Sequence, residues 1–562
     1  METVILVVLA VGAILAANLL GSWTRIGPPL LLVVLGMAVS LSPWVPELEI
    51  DPAWVLAGIL PPLLYSSAVR MPLIDLKRNR AAIGVFSVLL VIATAVVTGL
   101  AVHLVFPAVP LNVAIALGAI VSPTDAAATA IIRQAGAPGR VVTVLSGESL
   151  LNDPTALVVL RTALAATVSL PALAWNFIWA VAAASAIGGL VGWLALRIGG
   201  RIHDPTWHTV FSFLVPFAAY LPVEHLGSSG LVAVVVAGLI VGQGAPRFVS
   251  AQNRLAQATN WATIDMLAEG AVFGAMGLQV FGLYQGFQRQ NDSAGRALVT
   301  AAVALVMVLA VRGLFTAGML GWLGMGERHR RINSGRGRSS GQRASRERSP
   351  APEHLGWREG AVLEWAGLRG VVTLAAAQSL PLDTPERPAL ILIAFAVATA
   401  SLVLQGGTLP LLVRSLRLRP EDPAVEEASR IALRRRLGQV GAQFLDADRT
   451  SLIGPAGRPY SARAIELARQ TLRWVTVPNV DEPPTPGSAS SAERERREEL
   501  LELRLGTVRA MRADLIKARR EGSFPSAVIE EGLEELDREE LSVRVRGVPG
   551  WRRSTANRRG GG

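Results

Sequence analysis

The chain of 562 residues contains no cysteine, which rules out disulfides and thiolate metal sites. Its six histidines are His103, His203, His208, His225, His329 and His354, none at a zinc-binding spacing such as HExxH. Most of them fall in loops or near the ends of apolar runs, where an interfacial role is the ordinary one. No Walker-type phosphate loop is present, so ATP-driven work has no support and any active transport must draw on a gradient. Charge is also scarce. Only 17% of residues are charged against 51% hydrophobic, and mean hydropathy is +0.41, too apolar for a water-soluble protein of this length.

Apolar sequence is what the chain has in abundance. Runs of roughly 17 to 25 residues, enough to cross about 30 Å of hydrocarbon as helix, recur from Val4 to Val413, about thirteen in all. The fold class is therefore all-α, a polytopic membrane protein. Alternate connections carry the base: Arg25; Arg70, Lys77, Arg78 and Arg80; Arg133 and Arg140; Arg197 and Arg201; Arg247 and Arg254; and the stretch from Arg328 to Arg358. The positive-inside rule makes these cytoplasmic, with the N-terminus outside, the C-terminus inside and an odd number of spans. The first run lacks a positively charged start and a small-residue cleavage site, so it reads as a mature helix rather than a signal peptide.

Residues 1–415 form the transmembrane domain, interrupted at about 327–357 by a basic loop that reads as disordered and held against anionic lipid. Nucleic-acid binding is the rival explanation of that loop and of the net charge of +11. It is disfavoured, because base beside a span is what topology already demands. Residues 416–562 read as a cytoplasmic, partly helical tail, with helices over Glu426–Phe444 and Ala492–Arg520 and a Pro-rich linker at about 478–491. The tail contains no catalytic motif. It reads either as a regulatory or dimer-supporting module or as a solvated appendage.

Chemistry concentrates where the spans are least apolar. Ser122, Pro123, Thr124 and Asp125 sit inside one run, and Glu148, Ser149, Asn152, Asp153 and Pro154 inside the next. A carboxylate at membrane depth costs about 2.5 to 3.5 kcal/mol on insertion scales, so two of them within one segment suggest use. Pro123 removes a helix hydrogen bond and should break its span, leaving Thr124 and Asp125 at the start of a second half-helix. Asp125 there is either a helix cap or part of an ion site. Ser149 and Asp153, four residues apart, share a helix face with Asn152 beside them. Hydroxyl, carboxylate, amide oxygen and freed carbonyls suit a small hard cation such as sodium or lithium. Asp153, Ser149 and Thr124 are the candidate ligands of a transported cation, and Asp153 the group able to take a proton instead.

Arg369 lies mid-span between glycines, and an unpaired arginine there is costly, so Glu148 is its expected partner in a structural ion pair. The spans around Pro123 and Gly370 are the fifth and the twelfth in order, about seven apart and so running in opposite directions. Two interrupted, crossing helices in inverted repeats point to a midplane site.

Ser122–Asp125, Gly147–Asp153, Leu267–Gln279, Trp365–Val371 and Gln405–Leu411 together resemble the cation:proton antiporter-1 family, the NhaP-like sodium/proton exchangers, over about Pro28 to Val413. The resemblance implies thirteen spans, a homodimer in the plasma membrane, and a core domain moving against a dimerisation domain. It also implies that Asp153 carries the ion, that Thr124, Asp125 and Ser149 attend it, and that Glu148 and Arg369 are ion-paired. Asn152 stands where electrogenic relatives have a second Asp, which in the family goes with electroneutral exchange. One departure is visible. Many members carry Glu after Pro-Pro-Leu-Leu-Phe in the third span, where this chain has Ser66 after Pro61–Tyr65, which puts the sodium-over-potassium choice in question. The expected function is sodium (or lithium)/proton antiport for pH homeostasis, without a cofactor. Potassium/proton antiport is the alternative, and a cation channel or a membrane-anchored regulator are remoter ones.

Overall fold

The structure is a computed structural model that describes residues 2–24, 27–41, 53–125, 127–165, 170–288, 294–334, 356–418, 423–446, 459–471 and 491–547. The Glu47–Asp51 connection, the stretch 335–355 and the tail segment 472–490, which includes most of the Pro-rich linker, lie outside the described residues. Among the described residues the regular elements are helices throughout.

Two compact units divide the chain. The first comprises Met1–Gly199, Thr209–Gln243 and Thr259–Pro420. Its helices follow the apolar runs, from Glu2–Thr24 to Arg387–Ser401 and Gly407–Ser415. Five described helical stretches are long and apolar enough by composition to cross a membrane: Arg80–Val105, Ile178–Gly199, Gly230–Phe248, Gly295–Gly321 and Arg387–Ser415. Two helices that carry the polar site miss that criterion for a physical reason. Leu111–Val121 is cut to 11 residues by the break at Pro123, and Gly139–Leu164 holds Arg140, Glu148, Asp153 and Arg161. Large apolar side chains such as Leu190, Trp193, Leu214 and Leu314 are at least half exposed, the pattern of a lipid-facing surface.

Inside this unit, packing relies on small residues, as expected where lipid removes the hydrophobic advantage of helix association. The Leu90–Val105 and Leu111–Val121 helices approach so closely that a Cβ on Gly118 would lie 2.2 Å from the Ala95 carbonyl oxygen. Ala114, Leu117, Ile120, Val308, Leu390 and Ala394 are fully buried around that contact and form one apolar cluster with it. This firm seat holds the end of Leu111–Val121, where the chain reaches Ser122–Asp125.

The helix Ala294–Ser334 continues through residues 327–334, a stretch assigned to a disordered loop from composition alone. The second unit contains Glu421–Gly562 together with two short segments, Gly200–His208 and Gly244–Ala258. Sequence patterning assigned those two segments to the membrane domain. The tail helices are Pro423–Asp446, Ala462–Thr471, Ser491–Glu521 and Ser526–Gly547, so two of them escaped the sequence reading. They bury Leu433, Leu437, Met511, Leu515, Ile529 and Leu533 in a core of their own.

Gly118→Val is expected to lower the melting temperature of the purified protein, overpacking of this kind costing about 1–3 kcal/mol. Gly12→Val, where nothing lies within 4 Å of the new Cβ, should leave it unchanged. Equal melting of the two variants would contradict the close packing of Gly118 on Ala95.

Candidate functional site

Two interrupted helices meet at the centre of the site. The first runs Leu111–Val121, loses helical geometry over Ser122–Asp125, and resumes as Ala127–Gln134. The second runs Trp357–Trp365, opens over 366–370 and resumes as Val371–Gln378. The openings are joined directly: the Asp125 backbone N–H donates to the Leu368 carbonyl at 2.7 Å. Gly370 is required at this crossing. A Cβ on it would fall 1.4 Å from Asp125 Oδ2, so the Asp125 carboxylate rests on the bare glycine backbone.

Each interrupted helix leaves carbonyls without helix donors, and a buried arginine answers each. Arg369 Nε donates to Val121 O at 3.3 Å, Nη1 donates to Gly367 O, and its backbone N–H donates to Ser401 Oγ at 3.1 Å. Arg312 Nε donates to Leu363 O at 3.0 Å and Glu364 O at 3.2 Å, while Nη2 donates to Leu363 O at 2.8 Å. Gln405 Nε2 adds a bond to Trp365 O at 3.2 Å and its Oε1 accepts from Ser401 Oγ at 2.5 Å.

The ion pair expected between Glu148 and Arg369 is replaced by another. Glu148 takes Arg312 in bidentate fashion, Oε1 to Nη1 at 2.5 Å and Oε2 to Nη2 at 3.0 Å, both side chains at most 1% exposed. Arg369 spends its guanidinium on backbone carbonyls of the two openings, which is where the partial negative charge of the helix ends lies. Arg312 went unrecognised in the sequence, although an arginine inside the apolar run Ala297–Leu323 was the signal available.

Thr124 joins the two halves of the site. Its hydroxyl donates to Glu148 Oε1 at 3.1 Å and accepts from Asn152 Nδ2 at 2.7 Å, and the same Nδ2 lies 3.3 Å from the Thr124 carbonyl. Asn152 thus fastens the unwound Thr124 to the Gly139–Leu164 helix, and its buried Oδ1 has no hydrogen-bond partner among the described residues. Asp153 and Ser149 are each 8% exposed on that helix. Among the described residues the Asp153 carboxylate makes no hydrogen bond or ion pair, and it lies within electrostatic reach of Asp125. Pro154 inside the helix lacks an N–H, which leaves the Leu150 carbonyl without its ordinary donor.

A further acidic pair lies on the Ala251–Gln288 helix. Ser66 Oγ donates to Asp265 Oδ1 at 2.6 Å, and Arg70 Nη1 lies 2.7 Å from Asp265 Oδ2. Glu269, one turn beyond, interacts electrostatically with Asp125, Asp265 and Arg70. An acid therefore stands beside Ser66 after all, contributed by a different helix. Asp265 was missed because no spacing in the sequence says which helix packs beside Ser66.

A membrane protein whose interrupted helices enclose paired charges and, among the described residues, a carboxylate without a hydrogen-bond or ion-pair partner has the construction of a secondary transporter. The description sodium/hydrogen exchanger, transmembrane, matches residues 6–415. An uncharacterized Na(+)/H(+) exchanger of Mycobacterium tuberculosis is 30% identical over 556 residues, covering 96% of each chain. A low-affinity Na(+)/H(+) antiporter of Synechocystis is 27% identical, covering 80% of each, and a sodium, potassium, lithium and rubidium/H(+) antiporter of Bacillus subtilis is 28% identical over 73% of this chain and 61% of its own. The solved structure of a sodium proton antiporter from Methanocaldococcus jannaschii at pH 8 superposes with TM-score 0.55 at 18% identity, covering 74% of this chain and 99% of that one, a likeness of fold. The chain belongs to the sodium/hydrogen exchanger family of cation/proton antiporters, which are membrane-embedded, multi-pass transporters.

Arg312→Ala should lower thermal stability more than Arg369→Ala, because it strands Glu148 as an uncompensated buried charge, a loss of about 3–5 kcal/mol. Melting of the two purified variants in detergent checks the order. A larger loss for Arg369→Ala would return Glu148 to Arg369.

Proposed function

We propose that the protein exchanges sodium or lithium for protons across the plasma membrane by alternating access, with Asp153 as the group that takes either ion. The observation that carries this reading is the isolation of Asp153: a buried carboxylate, without a hydrogen-bond or ion-pair partner among the described residues, within electrostatic reach of a second carboxylate at Asp125. Such a charge in low dielectric is unfavourable until a proton or a cation neutralises it. Ser149, one turn back on the same face, and Thr124 are the neutral oxygens beside it.

Coupling follows from competition. A site loaded with either ion is neutral enough to cross the hydrophobic barrier, whereas an empty carboxylate crosses at high cost, so the two ions move in opposite directions on alternate strokes. Asn152 contributes no charge, which supports a one-for-one electroneutral cycle. Thirteen spans, an external N-terminus, a cytoplasmic tail and a homodimer complete the proposal, with monovalent cations, protons and lipid as partners and no cofactor.

A second reading keeps the same residues and makes potassium the cation. It is favoured by the name of the Bacillus subtilis relative, which includes potassium and rubidium, and by Ser66, whose neighbouring Asp265 is neutralised by Arg70.

Reconstituted vesicles carrying a pH dye, challenged with sodium, lithium and potassium in turn, test both readings. Sodium and lithium should move protons in the wild type, and Asp153→Asn should abolish the flux while leaving the melting temperature intact. Retained sodium-dependent flux in that variant would refute the assignment, and a response to potassium alone would select the second reading.

A further inference from the structure

Two groups of helices are each fastened internally. The interrupted helices and Gly139–Leu164 form one, through the Asp125–Leu368 backbone bond and the Asn152–Thr124 contact. In the other, Pro205–His225 is pinned to Ala251–Gln288. Trp261 Nε1 donates to Ser212 Oγ at 3.2 Å, Asn260 Nδ2 donates to Thr209 Oγ1 at 3.1 Å, and the Trp261 ring meets Phe213 edge-on at 5.1 Å. Leu150, Leu157 and Val372 of the first group belong to the same apolar cluster as Val215, Tyr220 and Trp261 of the second. Apolar contact is non-directional, so it does not by itself fix one position of the groups against each other.

Polar ties cross from group to group at one end. Arg161 Nη2 donates to Glu224 Oε1, and Glu224 is braced in turn by the Gly230 N–H, which donates to Oε2 at 3.3 Å. Gln378 Nε2 donates to Gln279 Oε1 at 2.8 Å. Arg387 holds the end of Val371–Gln378 for that contact, with Nη2 donating to Gln378 O at 2.7 Å and Nε to Leu380 O at 2.9 Å. Each tie sits about 12 Å along its helix from the site, Arg161 beyond Asp153 and Gln378 beyond Gly370, at a rise of about 1.5 Å per residue. The proposed topology puts both of these ends outside.

Neither tie is strong. The Arg161 and Glu224 side chains are 51% and 29% exposed, so water screens the pair, and the second tie is one neutral amide bond. Contacts of this kind add little to stability and can break and reform in each cycle, unlike the Glu148–Arg312 pair inside the first group. We propose that Arg161–Glu224 and Gln378–Gln279 form the outer gate of the exchanger, closed in this structure, and that both part before Asp153 opens to the outside. The gate rests on the exchange reading and its topology, and adds to them the residues that shut one side.

The absence of cysteine allows the full chain to be tested by paired cysteines. R161C/E224C, in right-side-out vesicles, is joined by a short bis-thiosulfonate crosslinker that a reductant removes. Sodium-dependent proton flux should fall about tenfold or more on crosslinking and return on reduction. R161C and E224C alone, treated the same way, should keep about half or more of their own untreated flux, since neither can be bridged. A second arm needs no transport. S149C should be labelled from outside by a charged, membrane-impermeant thiosulfonate about threefold faster once R161Q and Q378L are added, because the open arrangement gains population. Full flux in the crosslinked double variant, an equal loss in either single one, or an unchanged labelling rate would each overturn the gate. A wild type without flux would overturn the exchange reading instead, and the labelling rate would still decide the gate.

Discussion

Two helices are broken in the interior of a membrane protein, and the backbone they expose has to be satisfied without water. Everything at the site depends on how that is done. Arg312 closes the end of Trp357–Trp365 and Arg369 closes the end of Leu111–Val121, so each opening has a full positive charge beside its orphaned carbonyls. Glu148 neutralises Arg312 and, through Thr124, ties the first opening to the second. The Asp125 to Leu368 backbone bond and the contact of Asp125 with Gly370 lock the crossing.

This arrangement separates charges that hold the fold from a charge free to do chemistry. Glu148, Arg312, Arg369 and Asn152 use their bonding capacity on one another or on backbone, with only Asn152 Oδ1 left over. Asp153 is held in place by the same helix yet takes none of those bonds. Under the proposed function, a satisfied frame around a carboxylate that has no partner among the described residues would let occupancy of that carboxylate control the energy of the whole site.

Much of this was legible in the sequence because the relevant signals are local. Pro123 and the glycines around Arg369 mark interruptions by their own backbone chemistry, and Thr124, Asp125, Asn152 and Asp153 stand out as polar residues in apolar runs. The partner of Glu148 was not legible. Arg312 and Arg369 are both mid-span arginines, and the choice between them is decided by three-dimensional approach, which no spacing encodes. The same holds for Asp265 beside Ser66: periodicity within one helix carries no information about which neighbouring helix supplies an acid. The tail's affiliation with residues 200–208 and 244–258 was hidden for a related reason, since Arg201, Arg247 and Arg254 within those segments read from sequence simply as positive-inside charges.

The central claim is that one carboxyl group, Asp153, holds a proton or a cation but never both. Proton release on cation binding measures this directly: sodium added to the purified protein in weakly buffered detergent, with the pH change recorded. The account predicts a proton released for each sodium bound, and neither event in Asp153→Asn. Sodium binding without proton release, or release that survives the loss of Asp153, would contradict it.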